Sequence, residues 1–171
     1  LVFNGTIYNY KSLRSQLIGK GYSFFSHSDT EVIIKAYHYW GEDCVKYLDG
    51  MFAFCVWDQP NQKLFIARDR MGIKPLYYNL SNKAFTFASN SQALLTQELD
   101  KSVNPLALQQ QLSLHGVVPA PNTILNGIQK VKPATVITIN TKGLLKEKTY
   151  WHPGANRSER NLSDNEYVEK A

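Results

Sequence analysis

Met51-Phe52-Ala53-Phe54-Cys55-Val56-Trp57 and Leu64-Phe65-Ile66-Ala67 are two apolar runs of strand length. Between them stands Asp58-Gln59-Pro60-Asn61-Gln62, a cluster of turn-forming residues. Runs of this kind on either side of such a cluster predict a β-hairpin, and the first has the pattern of a buried strand. Two further hairpins follow the same logic. Leu76–Tyr78 and Ala84–Ala88 flank Leu80-Ser81-Asn82-Lys83, while Thr135–Ile139 and Lys146–Tyr150 are joined through Asn140-Thr141-Lys142-Gly143. At the start, Leu1–Asn4 reads as the end of a strand broken by Gly5.

Helical periodicity fills the intervals. Residues 10–18 carry Leu13, Leu17 and Ile18 on one face and stop at Gly19-Lys20-Gly21. Ser28 or Asp29 can cap a second helix whose face holds Val32, Ile33, Ala36, Tyr37 and Trp40 before Gly41. Shorter helical stretches are expected at Glu42–Leu48 and Ala93–Leu95, and a longer one at Leu106–Leu114, entered through Asn104-Pro105. From Trp151 the chain turns linker-like, and Ser163-Asp164-Asn165-Glu166 begins another helix. Antiparallel hairpins with segregated helices indicate an α+β layered fold.

The 171 residues suit one domain, or one domain and the start of another. With 43% hydrophobic and 19% charged residues the chain is a folded protein and not a disordered tail. No apolar run approaches the ~20 residues of a membrane span, and no signal-peptide pattern opens it. Its apolar start, Leu1-Val2-Phe3, is unlike a native beginning, so the first residues are expected to be cut from something longer. The net charge of +5 comes from residues 101–150, where six lysines face only Glu147. These lysines are spread out and lack an arginine cluster or binding motif, so they read as a solvated face or a domain contact, not as a nucleic-acid footprint. Cys44 and Cys55 read as reduced core residues of a cytoplasmic protein. The four histidines are scattered without metal-ligand spacing, so no metal site is expected.

Three stretches carry chemistry: Phe3-Asn4-Gly5-Thr6-Ile7-Tyr8-Asn9-Tyr10; Ser26-His27-Ser28-Asp29-Thr30-Glu31; and Leu48-Asp49-Gly50-Met51-Phe52-Ala53-Phe54 with Ala67-Arg68-Asp69-Arg70-Met71-Gly72-Ile73-Lys74-Pro75-Leu76-Tyr77-Tyr78. Taken alone, Asn4-Gly5 is a turn signal and Asp29 a helix cap. Glu31 is a first-turn carboxylate favoured by the helix dipole. Arg68, Asp69, Arg70 and Lys74 form an ion-pair network around a turn at Gly72, or a loop lining an interface. Tyr77, Tyr78, Phe85 and Phe87 are core aromatics by strand alternation.

In this order and spacing the three stretches resemble the glutaminase domain of class II glutamine amidotransferases, and most closely that of glutamine-hydrolysing asparagine synthetases. Gly116-Val117-Val118-Pro119-Ala120-Pro121-Asn122-Thr123-Ile124 and Tyr150-Trp151 resemble the stretch that leads to the synthetase domain. The resemblance implies an amino-terminal-nucleophile hydrolase fold, a four-layer αββα sandwich of antiparallel sheets, here truncated at its N-terminus. It implies a glutaminase domain over residues 1–150, with residues 151–171 as linker and start of an ATP-dependent synthetase domain. Glutamine would be split to glutamate and ammonia by an amino-terminal cysteine, and the ammonia would amidate an ATP-activated aspartate. Asn4 and Gly5 match the oxyanion donors, Asp29 the residue that holds the α-ammonium of glutamine, and Thr6 a further glutamine contact. The asparagine synthetase pattern usually has Glu at the position of Thr6.

The chain has no amino-terminal cysteine, and neither Cys44 nor Cys55 has the context to replace it, so alone it is expected to be inactive. The expected partners are L-glutamine and the chain's own C-terminal synthetase domain, with no nucleic acid and no membrane, and a homodimer as one assembly. No cofactor is expected in these residues; ATP and Mg would serve the synthetase domain. Two alternatives stay open: a related ligase with another carboxylate acceptor, and a non-catalytic scaffold.

Overall fold

The computed structural model describes residues 1–81 and 84–154. The chain runs β1 (Val2–Ile7), α1 (Tyr10–Gly19), α2 (Asp29–Trp40), a 3-10 segment (Gly41–Lys46), β2 (Gly50–Asp58), β3 (Lys63–Arg68), β4 (Tyr77–Leu80), β5 (Phe85–Ala88), α3 (Ser91–Leu94), α4 (Pro105–Ser113), β6 (Gln129–Lys130), β7 (Thr135–Asn140) and β8 (Leu145–Thr149). The strands form a five-stranded sheet in the order β1-β2-β3-β7-β8 and a three-stranded sheet in the order β5-β4-β6. Every pairing is antiparallel.

The central hairpin β2–β3 forms as its apolar runs predict, with Trp57 opposite Leu64 and Asp58 opposite Lys63. Strand alternation sends its side chains to two cores. Phe52, Phe54, Val56, Phe65 and Ala67 pack under the helices with Leu13, Leu17, Val32, Ile33 and Ala36. Ala53, Cys55 and Ile66 face the second sheet with Leu76, Tyr78, Ile137 and Ile139. Tyr78 points into that inter-sheet core, whereas its neighbour Tyr77 lines a cavity on the far side with Ser91 and Leu95. The short α3 packs there against β4 and β5, which completes helices, sheet, sheet, helix: the αββα sandwich of antiparallel sheets.

Several local readings are corrected. Strand β1 does not break at Gly5 but runs on to Ile7, because β2 pairs with it along its whole length. The helix expected over Glu42–Leu48 is a 3-10 segment that starts at Gly41 and ends at Lys46. Of the aromatics assigned to the core, Tyr78 is buried, and Phe85 and Phe87 pack half-buried against the inter-sheet core. Two residues of the second hairpin's connection and the helix expected at Ser163–Glu166 lie outside the described residues, as does most of the expected linker. No helix among the described residues is long and apolar enough to cross a membrane.

Candidate active site

The site is built on β1, whose sheet neighbour among the described residues is β2. Tyr8 N–H donates to the Asp49 carbonyl at 2.7 Å, towards the β2 side. The preceding N–H, of Ile7, turns the other way and donates to Asp29 Oδ2 at 3.1 Å. Successive N–H groups of a strand point to opposite edges, so Gly5, two residues before Ile7, also turns its N–H away from β2. Gly5 lies opposite Phe52, and Gly50 opposite Ile7. A Cβ on Gly5 would stand 2.2 Å from the Met51 carbonyl oxygen and 2.8 Å from Phe52 Cα; one on Gly50 would stand 2.2 Å from the Thr6 oxygen. With φ of +153° and +158°, both positions also require glycine's freedom.

Asp29 is the first residue of α2, but it does not cap the helix. Ser28 does, its Oγ accepting from Thr30 N–H at 3.0 Å. That leaves the half-buried Asp29 carboxyl free to turn to β1. Glu31 departs further from expectation. It is 5% exposed and accepts from Phe25 N–H (3.2 Å), Ser26 N–H (2.8 Å) and the Ser26 hydroxyl (2.7 Å), beyond any interaction with the helix dipole. Arg14 adds a hydrogen bond to the Ser26 carbonyl, so the loop before Asp29 is pinned from both sides. Burial alone would push the Glu31 pKa up; the Ser26 and Phe25 hydrogen bonds and the Lys35 charge outweigh it and hold it below the usual 4.5. A depressed folded-state pKa gives stability that is present above pH 4.5 and lost as pH falls through the folded value. Glu31→Gln should therefore flatten the acid limb of the stability curve, and urea titrations across that limb check it.

Asn4 is half-buried, and its Nδ2 donates to Ser89 Oγ at 3.3 Å, just beyond the end of β5. Thr6 is exposed on β1, opposite Met51. The structure thus brings Asn4, Gly5 and Thr6 together on one strand and ties Asp29 to the same strand through Ile7. Ser89 joins this neighbourhood through its contact with Asn4, and Glu31 braces the loop that leads to Asp29. Glu31 carried a signal, a second acid two residues after Asp29. Ser89 carried none, because its contact with Asn4 spans 85 residues of sequence.

The charged run after β3 spends its charges on backbone groups instead of ion pairs. The Arg68 guanidinium donates to the carbonyls of Lys74 and Gly72, each at 2.7 Å, and of Val131. Asp69 accepts from four backbone N–H groups. Cys44 and Cys55 are buried free thiols. Burial pushes each up to about 12, which leaves almost no thiolate at neutral pH and disqualifies both as nucleophiles. Among the described residues no group of three or more His, Cys, Asp or Glu is placed to hold a metal ion.

Comparison with known proteins gives the same direction. The chain is 42% identical over 151 residues to glutamine-hydrolyzing asparagine synthetase 1 of Bacillus subtilis, covering 88% of this chain and 24% of that protein. It is 39% identical over 146 residues to synthetase 3 of the same organism, covering 84% and 24%. The chain thus spans about a quarter of the length of these relatives. Among solved structures, the glutamine phosphoribosylpyrophosphate amidotransferase of B. subtilis superposes with a TM-score of 0.62 at 20% identity, over 89% of this chain and 29% of that one. That likeness establishes the amino-terminal-nucleophile hydrolase fold. The family profile described as "Glutamine amidotransferase domain" matches residues 1–151, and the chain belongs to that family.

Proposed function

We propose that the chain forms the glutamine-binding, ammonia-releasing unit of a glutamine-hydrolysing asparagine synthetase. The observation that carries this is the Gly5 N–H, which turns away from β2 two residues before the Ile7 N–H that donates to Asp29. Glutamine bound there would place its α-ammonium against Asp29, which has a second carboxylate oxygen to offer. Its side-chain carbonyl would lie against the Gly5 N–H and the Asn4 amide. A cysteine thiolate adds to the amide carbon, and the oxygen that gains negative charge is stabilised by those two donors. The carbon–nitrogen bond breaks as the amide nitrogen takes up the proton that the thiol gave up, ammonia leaves, and water then splits the thioester to glutamate and free thiol.

The attacking thiolate comes from polypeptide outside these residues, since Cys44 and Cys55 are buried and protonated. The chain by itself then binds glutamine without hydrolysing it. In the longer enzyme the ammonia amidates aspartate activated by ATP with Mg²⁺, in a synthetase domain that is this unit's partner, in the cytoplasm. Thr6, where the family pattern has Glu, leaves the ammonium to Asp29. Calorimetric titration tests the reading: L-glutamine should bind at least about tenfold more tightly than glutaramate, which lacks the α-ammonium, as a charged hydrogen bond of roughly 1.5–3 kcal/mol requires. Equal affinities would overturn it.

A further inference from the structure

Asp69 follows the last residue of β3 and is 1% exposed. Its backbone N–H donates to the Phe52 carbonyl at 2.8 Å. In a regular antiparallel pair the return bond would run from Phe52 N–H to the Asp69 carbonyl. That carbonyl instead accepts from Gly72 N–H (3.1 Å) and Ala134 N–H (2.9 Å), because the chain is turning out of the sheet. The side chain takes its place: Phe52 N–H donates to Asp69 Oδ2 at 3.2 Å. The carboxylate is held in turn by Lys74 N–H on Oδ2 (2.9 Å) and by Met71 (3.1 Å) and Ile73 (2.9 Å) N–H on Oδ1.

Phe52 is also the residue that faces Gly5 across the β1–β2 pair. The closeness of Gly5 to the Met51 and Phe52 backbone means that any shift of Phe52 is passed to Gly5. The row continues beyond Asp69, through the Ala134 bond to it and the Tyr150 N–H bond to the Ala134 carbonyl at 2.8 Å. We infer that Asp69 is a positioning residue for the candidate active site: by completing the ladder at Phe52 it sets where Gly5 directs its N–H on the side of β1 away from β2. The link to catalysis rests on the glutamine-binding reading above; the link from Asp69 to Gly5 does not.

Asp69→Asn tests it, because an amide offers one acceptor oxygen and leaves two of the four N–H groups unmatched. Three quantities are read well below the melting temperature: the Gly5 amide resonance, L-glutamine affinity and thermal stability. Asp69→Asn should move the Gly5 resonance and weaken glutamine binding about tenfold, a modest fraction of what a misplacement of about 1 Å can cost. Tyr150→Phe, which removes only the hydroxyl bond to the Arg68 carbonyl, should lower stability while leaving resonance and affinity unchanged. Should Asp69→Asn not fold, Asp69→Glu keeps the charge on a longer stem and should move both readouts in the same direction. A variant that loses stability alone, with Gly5 and glutamine affinity as in the wild type, overturns the inference. If the wild-type chain binds no glutamine, the functional reading falls and the Gly5 resonance still decides this one.

Discussion

Gly5→Ala should destabilise the chain strongly. The new Cβ has the Met51 carbonyl oxygen 2.2 Å away and Phe52 Cα at 2.8 Å, and both are backbone. Neither can move without carrying β2, which is held on its other side by β3. Overpacking of this sort costs about 1–3 kcal/mol, and a non-glycine residue forced into a sparsely populated φ adds about 1–3 kcal/mol more. A loss of roughly 2–6 kcal/mol is therefore expected in urea unfolding. Gly19→Ala provides the contrast. It lies in α1 with nothing within 4 Å of its Cβ position, and it should stabilise by up to about 1 kcal/mol. If both variants unfold at the same urea concentration, the close approach of β1 to β2 at Gly5 is wrong.

Asp29→Asn should weaken glutamine binding by about 30- to 150-fold. The substitution keeps an oxygen for the Ile7 N–H and removes the charge, so it separates ligand recognition from the strand–helix tie. Truncating one partner of a desolvated charge pair costs about 2–5 kcal/mol. Asp29 is only half-buried, so the lower part of that range applies, roughly 2–3 kcal/mol. Stability should change little, because Ser28 and not Asp29 caps α2. A variant that binds as tightly as the wild type would remove Asp29 from the site.

The parts of this fold written in local pattern were legible. The β2–β3 hairpin follows from two apolar runs and a turn cluster, and α1 and α2 follow from their spacing of Leu13 and Leu17, and of Val32, Ile33 and Ala36. The candidate residues Asn4, Gly5, Thr6 and Asp29 were named by resemblance, and the structure places the first three on one strand beside the fourth. What local pattern missed depends on partners distant in sequence. Gly5 looks like a strand breaker when only its neighbours are considered, yet the pairing with β2 carries the strand through it. Asp69 looks like one charge in a mixed run. Its task, replacing a diverted carbonyl opposite Phe52, exists only once β3 lies beside β2 and the chain has turned away. Ser28 and Asp29 are equally good caps by residue type, and only the position of Ile7 decides which of them leaves the helix.

The most direct test combines ligand and variant in one thermodynamic cycle. Wild-type and Asp29→Asn chains are titrated with L-glutamine and with glutaramate. If Asp29 holds the α-ammonium, the loss of affinity caused by Asp29→Asn should be about 30- to 150-fold for glutamine and should vanish for glutaramate, which has no ammonium to lose. The same loss for both ligands would mean that Asp29 supports the site without touching the ammonium, and the account of how this chain recognises glutamine would be contradicted.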